Sequence, residues 1–401
     1  MTEQKLTITS MGRRGEGFAA GIYVPYALPG ETIMAEVAGE RARIIRIEKP
    51  SLERIEPFCK YHGSCGGCQL QHWDAQPYRL WKRGLVESAL RNLNANVDEL
   101  IDAHGAGRRR VSLHVRKKDG GVTAGFMMAR SHDLQDIDRC PILVPALANA
   151  TDIARALGEK LGDCDVALTA TDSGLDAAVR AERKIAEREA PKLAGLANAL
   201  DLARLAVNGD VIATRRAPSL RMGRGNVMLP VASFLQATNE GEAQLAALVL
   251  AAAATSKSVA DLFCGVGPFA LRVAETARVA AFDNDKPAIA ALALAARATS
   301  GLKPFEAAIR DLLKEPLVAN ELKPYDTVIF DPPRAGAEAQ SRQLAKSKVK
   351  TVIAVSCDPI TLARDSEILV EGGYALTKVT PVDQFKWTSH VETVAVFRRL
   401  K

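Results

Sequence analysis

The sequence predicts an α/β protein: an open, mostly parallel sheet in the C-terminal half, preceded by a small β-barrel and a middle α+β segment. Three observations predict it. Apolar, β-branched runs end at Leu262, Asp283, Phe330 and Ser356 and alternate with Ala/Leu-rich helical stretches, the pattern of a sheet buried on both faces. Residues 5–57 read as short alternating strands broken at Gly and Pro, the pattern of a small barrel. Between these regions, three cysteines crowd into residues 59–68. The expected boundaries are 1–56 for the barrel, 57–230 for the middle unit and 231–401 for the C-terminal domain.

A chain of 401 residues has room for two or three domains. Its formal charge of +6 permits a nucleic-acid partner without requiring one. No apolar run reaches membrane-spanning length, and the first residues lack the layout of a signal peptide. A cytoplasmic location is expected, where seven cysteines read as ligands, nucleophiles or core residues rather than disulfides.

In the barrel, the Gly-rich loop 11–17 carries Arg13 and Arg14, which suit either a phosphate backbone or bulk solvent. Cys59-x5-Cys65-x2-Cys68 then reads as a set of metal ligands, with Gly66 and Gly67 letting the backbone wrap a bound centre. Cys140, followed by Pro141, is the best fourth thiolate, and His62 and His72 are substitutes in reserve. Four thiolates suit iron–sulfur and zinc alike. Residues 78–93 are helical in character. Arg108, Arg109 and Arg110 open a strand-like segment whose basic face suits phosphates or solvent. Residues 143–213 mix helices and short strands without evident chemistry, and Cys164 there reads as structural.

The chemistry lies further on. Residues 258–270 read as strand, Gly-rich turn and helix, with Gly265 and Gly267 permitting close backbone approach to a ligand. A second strand ends at Asp283, whose carboxylate suits a ribose diol. Nicotinamide enzymes and S-adenosylmethionine (SAM) methyltransferases share that pairing. Position 270 is Ala, so G-x-G-x-x-G is incomplete, which favours SAM. Asp311 follows a third strand, on the adenine side. The run 325–330 ends in Asp331-Pro332-Pro333, whose prolines hold Asp331 at the sheet edge. The run 351–356 ends in Cys357, and a last strand, 393–397, directly follows Glu392.

These pieces suit one reaction. Uracil carbon 5 is too weak a nucleophile to take a methyl from SAM unaided. A thiolate adding to carbon 6 makes an enolate whose carbon 5 attacks the sulfonium methyl. A base then removes the carbon 5 proton so that the thiolate can leave. Cys357 and Glu392 fit these roles, with Asp331 orienting the pyrimidine edge. Such a base must be unstacked, in a single strand or flipped.

On these residues the chain resembles the RNA uracil-5-methyltransferases of the RumA/RlmD type over nearly its whole length. F-x-Q at 234–236, D-L-F-C-G-x-G at 261–267, D-P-x-R-A-G at 331–336, V-S-C-x-P-x-T-L-A-R-D at 355–365 and T-x-H-x-E at 388–392 stand in that order. The resemblance implies a TRAM barrel, a central domain holding a [4Fe-4S] cluster and a C-terminal Rossmann-like methyltransferase domain. It implies that Cys59, Cys65, Cys68 and Cys140 hold the cluster, that Cys357 is the nucleophile and that Glu392 is the base. It implies Gln236, Phe263, Asp283, Asp311 and Asp331 around SAM, beside the Gly265 turn, and Phe234 stacked on the flipped base. Four positions depart from the family's pattern: Pro268 replaces a frequent Asn, Ala237-Thr238 replaces Val-Asn, and Asp283 replaces Glu. They bear on SAM affinity rather than on the reaction. The family's tRNA-acting members are expected to lack the barrel and the cluster cysteines, so a 23S rRNA uridine is the expected substrate of a monomeric enzyme. A tRNA or dual-site enzyme is the alternative, and a non-catalytic iron–sulfur RNA-binding protein a further one.

Overall fold

The computed structural model describes residues 2–400 apart from 119 and 130. At the N-terminus, Thr2–Thr7, Ser10–Met11, Glu16–Ala19, Ile22–Pro25, Thr32–Ala38 and Arg41–Lys49 form one sheet. Thr2–Thr7 pairs with Thr32–Ala38, while Ser10–Met11 pairs with Glu16–Ala19. These two first strands are one run of chain, bonded on at Ile8 and Thr9, so the sheet curls and closes on itself. Closure removes exposed edges. Strict alternation turns Ile33, Ala35 and Val37 inward onto Leu6, Ile8 and Val24.

The middle sheet has seven strands, in the order Leu134–Asp136, Gly121–Met127, Arg110–Lys118, Cys164–Thr171, Gly174–Ala181, Leu202–Val207 and Asp210–Thr214. Helices Ala150–Leu161 and Ala190–Ala199 pack on it through Ile153, Leu157, Leu193 and Ala197. Cys164 is buried in this core.

The C-terminal sheet has eight strands: Phe305–Ile309, Arg278–Asp283, Ser258–Leu262, Thr327–Phe330, Thr351–Ser356, Glu392–Arg399, Tyr374–Asp383 and Ile101–Asp102. The first five are parallel, and Glu392–Arg399 runs antiparallel to Thr351–Ser356. Val352 and Ala354 enter the core on one face, Ile353 and Val355 the core on the other. This double burial is why the run carries no polar alternation, and each such Val or Ile contributes roughly 1.5–3 kcal/mol.

Residues 75–103, grouped with the middle unit on sequence, pack against the C-terminal sheet instead. Helix Ala75–Ala89 buries Val86 among Tyr374, Val379 and Phe397, and Ile101–Asp102 adds an edge strand beside Tyr374–Asp383. A periodic stripe shows that a helix has a buried face, not which core receives it. The helix also carries Lys82, whose Nζ lies 2.5 Å from Asp383 Oδ1, while Tyr78 donates its hydroxyl to Oδ2 at 2.7 Å. Burial pulls Lys82 down to about 8, against the opposing pull of Asp383. Among the described residues, no helix is long and apolar enough to cross a membrane.

Candidate active site and cysteine cavity

The parallel strands bring their carboxyl ends to one edge, and a cleft of about 700 Å³ opens there. Phe234, Gln236, Phe263, Gly265, Asp283, Asp311, Asp331, Cys357 and Glu392 all line it. The nine residues singled out in the C-terminal half therefore meet in one place.

On one side is the glycine turn. After Leu262 the chain doubles back through Phe263 at φ +59°, Gly265 at φ +52° and Gly267 at φ +87°. Left-handed backbone at a phenylalanine costs on the order of 1–3 kcal/mol, strain that persists only where the surroundings hold it. A Cβ at Gly267 would fall 2.4 Å from Leu292 Cδ1, so only glycine lets helix Lys286–Ala298 approach. Asp283 accepts the Gly265 amide at 2.8 Å and the Asp285 amide at 2.9 Å, one on each oxygen. Each oxygen keeps a lone pair for a ligand hydroxyl. This cradle, with a fixed carboxylate at its rim, fits the ribose of SAM. Thr238, where the family pattern has Asn, caps helix Asn239–Ala252 by accepting the Gly241 amide at 2.8 Å. Asp311 faces the cleft, but a hydrogen bond from Lys314 engages its carboxylate and lowers its pKa.

On the other side are the thiol and two carboxyls. Antiparallel register pairs Ser356 with Thr393. The next residues outward, Cys357 and Glu392, both line the cleft, close enough for Glu392 to raise the Cys357 pKa. Asp358 then caps helix Pro359–Glu371 by accepting the Ile360 amide at 2.8 Å. Burial pushes the Cys357 thiol up to about 11, with Glu392 and Asp331 adding to the effect and Arg334 opposing it. Burial likewise pushes Asp331 up to about 7 and Glu392 up to about 8, the latter raised further by Asp331.

Sequence reasoning missed three participants. Gln384 is fully buried between Gln236 and Glu392, donating to Gln236 Oε1 at 2.6 Å and to Glu392 Oε1 at 3.2 Å. Gln236 in turn donates to Asp331 Oδ2 at 3.0 Å. Arg334 and His390 line the cleft with their side chains 3.2 Å apart. Burial, and then Arg334, pull His390 down to about 4, so its neutral ring accepts from the guanidinium. Arg334 and His390 stand inside the quoted motifs, which was the available signal; Gln384 carries none.

The arginine run is not an open basic face. Arg109 is buried and donates to Gln236 O at 3.0 Å, Asn239 Oδ1 at 3.0 Å and Glu242 Oε2 at 2.6 Å. Arg110 donates to Leu235 O and lies over the Phe234 ring, and Arg108 lies over Phe385. Together they clamp the segment carrying Phe234 and Gln236. Phe234 itself is 71% exposed, with the Arg110 guanidinium over its ring.

Cys59, Cys65, Cys68 and Cys140 line a second cavity of about 410 Å³, which shares Phe234, Gln236 and Phe385 with the cleft. All four are free thiols. Burial pushes Cys68 up to about 12 and Cys140 up to about 11. Their sulfurs are gathered on one cavity, but among the described residues no three side chains stand at metal-holding geometry. His62, which lines this cavity, and His72 are engaged with each other. His62 Nε2 and His72 Nδ1 bond each other at 3.0 Å, and burial pulls the two rings down to about 4 and about 3.

Fold and cleft together define a SAM-dependent methyltransferase of the α/β class. A family model described as tRNA (Uracil-5-)-methyltransferase matches residues 226–400. The chain is 45% identical to an uncharacterized RNA methyltransferase of Brucella suis, over 100% of this chain and 99% of that one. It is 30% identical to the 23S rRNA (uracil(1939)-C(5))-methyltransferase RlmD of Shewanella sediminis, over 98% and 95%. The protein belongs to the RNA uracil-5-methyltransferase family. Its fold matches the structure of the Pyrococcus abyssi tRNA (uracil-54, C5)-methyltransferase with a TM-score of 0.78 at 22% identity, over 98% of this chain and 100% of that one. That match corrects one expectation. A tRNA-acting enzyme has this whole architecture, barrel included, so architecture does not separate rRNA from tRNA targets.

Proposed function

We propose that the protein methylates carbon 5 of a 23S rRNA uridine through a covalent bond between Cys357 Sγ and uracil carbon 6. The observation that carries this reading is the placement of Cys357 opposite Glu392, beside Asp331, in one cleft with the Asp283 cradle. Gly265, Asp283 and the Phe263 turn would hold SAM, with Asp311 on its adenine side. Bound there, SAM supplies an electrophilic methyl on a cationic sulfur.

Phe234 stacks the flipped base at the rim, and Asp331 orients its polar edge. A carboxyl pushed up to about 7 offers both a donor and an acceptor to a pyrimidine. Cys357 gives its proton to water in the cleft, the thiolate favoured by the Arg334 charge, and Sγ bonds to carbon 6 as the carbon 5–carbon 6 double bond opens toward the carbon 4 oxygen. Electron density shifts to carbon 5, which becomes nucleophilic. Once carbon 5 is methylated, Glu392 in its ionised form takes the carbon 5 proton, the carbon 5–carbon 6 double bond reforms and the Sγ–carbon bond breaks.

Cys59, Cys65, Cys68 and Cys140 are assigned to a [4Fe-4S] cluster. The support is chemical: four free thiols on one cavity, with the Gly67 amide 3.4 Å from Cys65 Sγ. No step of methyl transfer needs an electron, so the cluster's role is to brace the wall that carries Phe234 and Gln236. The closed barrel, with Arg13 and Arg14 at its loop, is assigned to RNA contact.

The full-length likeness to the Shewanella enzyme favours 23S rRNA, and the shared architecture of the Pyrococcus enzyme favours tRNA as the second reading. Mass-spectrometric mapping of 5-methyluridine, with and without the gene, decides between them. Loss at one 23S uridine is the expected result. Loss at two indicates a dual-site enzyme, loss only in tRNA overturns the rRNA target, and no change overturns the catalytic reading.

A further inference from the structure

We propose that Gln384 is a positioning residue for the base, aiming the Glu392 carboxylate and favouring its ionised form through a directional amide relay. The inference rests on the functional reading above and adds a residue to it.

The direction of the relay is set by the backbone. The Ala237 N–H donates to Gln384 Oε1 at 2.8 Å, which fixes which end of that amide is oxygen. Gln384 Nε2 must then point at Gln236 Oε1 and Glu392 Oε1. That orientation in turn fixes Gln236, whose Nε2 is left to face Asp331. One backbone amide thus dictates the hydrogen-bond polarity at both carboxyls. Gln384 is fully buried and does not line the cleft, so it acts through Glu392 and not on the substrate. Among the described residues, Glu392 Oε2 has no hydrogen-bond partner and is buried. The single donor from Gln384 is therefore what anchors the carboxyl and leaves its other oxygen aimed into the site.

The packing leaves room for little else. A Cβ on Gly241 would fall 2.6 Å from Gln384 Oε1 and 2.7 Å from its Cβ. The charged and titratable groups facing Glu392 are Asp331, Arg334 and Cys357. Asp331 opposes its ionisation, while Arg334 and the Gln384 hydrogen bond favour it.

The test compares wild type with Gln384→Met, which keeps side-chain length and removes the donor. The full-length protein is given SAM and a 23S rRNA transcript carrying 5-tritiated uridine, with a tRNA transcript in parallel. Covalent protein–RNA complex on a denaturing gel reports Cys357 addition, and tritium release reports carbon 5 proton removal. We expect addition at the wild-type rate, tritium release slowed about tenfold at neutral pH, and its pH profile displaced upward by about one unit. Gly241→Ala, which pushes Gln384 from outside the site, is expected to displace the profile the same way should Gln384→Met fold poorly. Unchanged release and an unmoved profile in whichever variant folds overturn the inference and leave Gln384 as packing. Slowed addition with normal release also overturns it. Wild-type protein that forms no complex and releases no tritium from either RNA overturns the functional reading itself.

Discussion

Cys357 and Glu392 lie one residue outward of Ser356 and Thr393, the last bonded partners of two antiparallel strands, and both line the cleft. The two lie at opposite ends of their strands in sequence terms, one closing Thr351–Ser356 and the other opening Glu392–Arg399. Only an antiparallel turn of the sheet could set them side by side.

Glu392→Gln removes the proton acceptor and keeps the shape. We expect it to form the Cys357–RNA adduct and then fail to release it, so that a protein–RNA band survives denaturation. Cys357→Ala gives no such band. Equal bands in both variants would remove Cys357 from the covalent step.

Burial of the carboxyls also predicts the pH dependence of stability. Burial, and then Asp331, raise the Glu392 pKa well above that of an unfolded glutamate, so in the window between the two only the folded state holds the proton. Stability therefore falls as pH rises through that window, by at most about 1.4 kcal/mol per pH unit for this group. Thermal melting of wild type and Glu392→Gln from about pH 5 to about pH 8 checks the sign. The variant should give the flatter curve, and a steeper one would contradict the buried, neutral carboxyl.

The cysteine assignment predicts iron. Protein purified without oxygen should show broad visible absorbance and about four irons per chain. Cys68→Ser should lose both while still binding S-adenosylhomocysteine by calorimetry, because the cleft lies across the shared wall. Colourless, iron-free protein would reject the cluster.

Arg109 and Glu242 are each nearly buried and 2.6 Å apart, with Arg272 also on Glu242 at 2.8 Å. Arg109→Met leaves the Glu242 carboxylate short of one partner and two further acceptors, Gln236 O and Asn239 Oδ1, short of a donor. We expect a loss of about 3 kcal/mol in chemical denaturation. Arg109→Met/Glu242→Gln should cost less than the sum of its parts, since the second change removes the charge the first left stranded.

Much of the molecule could be read locally. A strand buried on both faces writes itself as an unbroken apolar run, and the residue that ends it falls at the ligand edge. Asp283, Asp331 and Cys357 were found this way, and the closed N-terminal barrel followed from alternation and turn residues. What local pattern cannot carry is the choice of partner. Arg109 reads as surface charge until Glu242 and Asn239 are folded against it, and helix Ala75–Ala89 displays an apolar stripe that fits either neighbouring core.

By itself, then, the sequence determined the element types, the strand-end residues and, through its motifs, the family. The tertiary structure decided the reversal that places Glu392 beside Cys357 and the joining of Gln236 to Gln384 across 148 positions. It also decided the gathering of four thiols and the cleft against one wall. The physical reason is that burial and backbone hydrogen bonding are periodic along the chain. Ionisation, hydrogen-bond polarity and strand direction depend on neighbours that only the folded chain supplies.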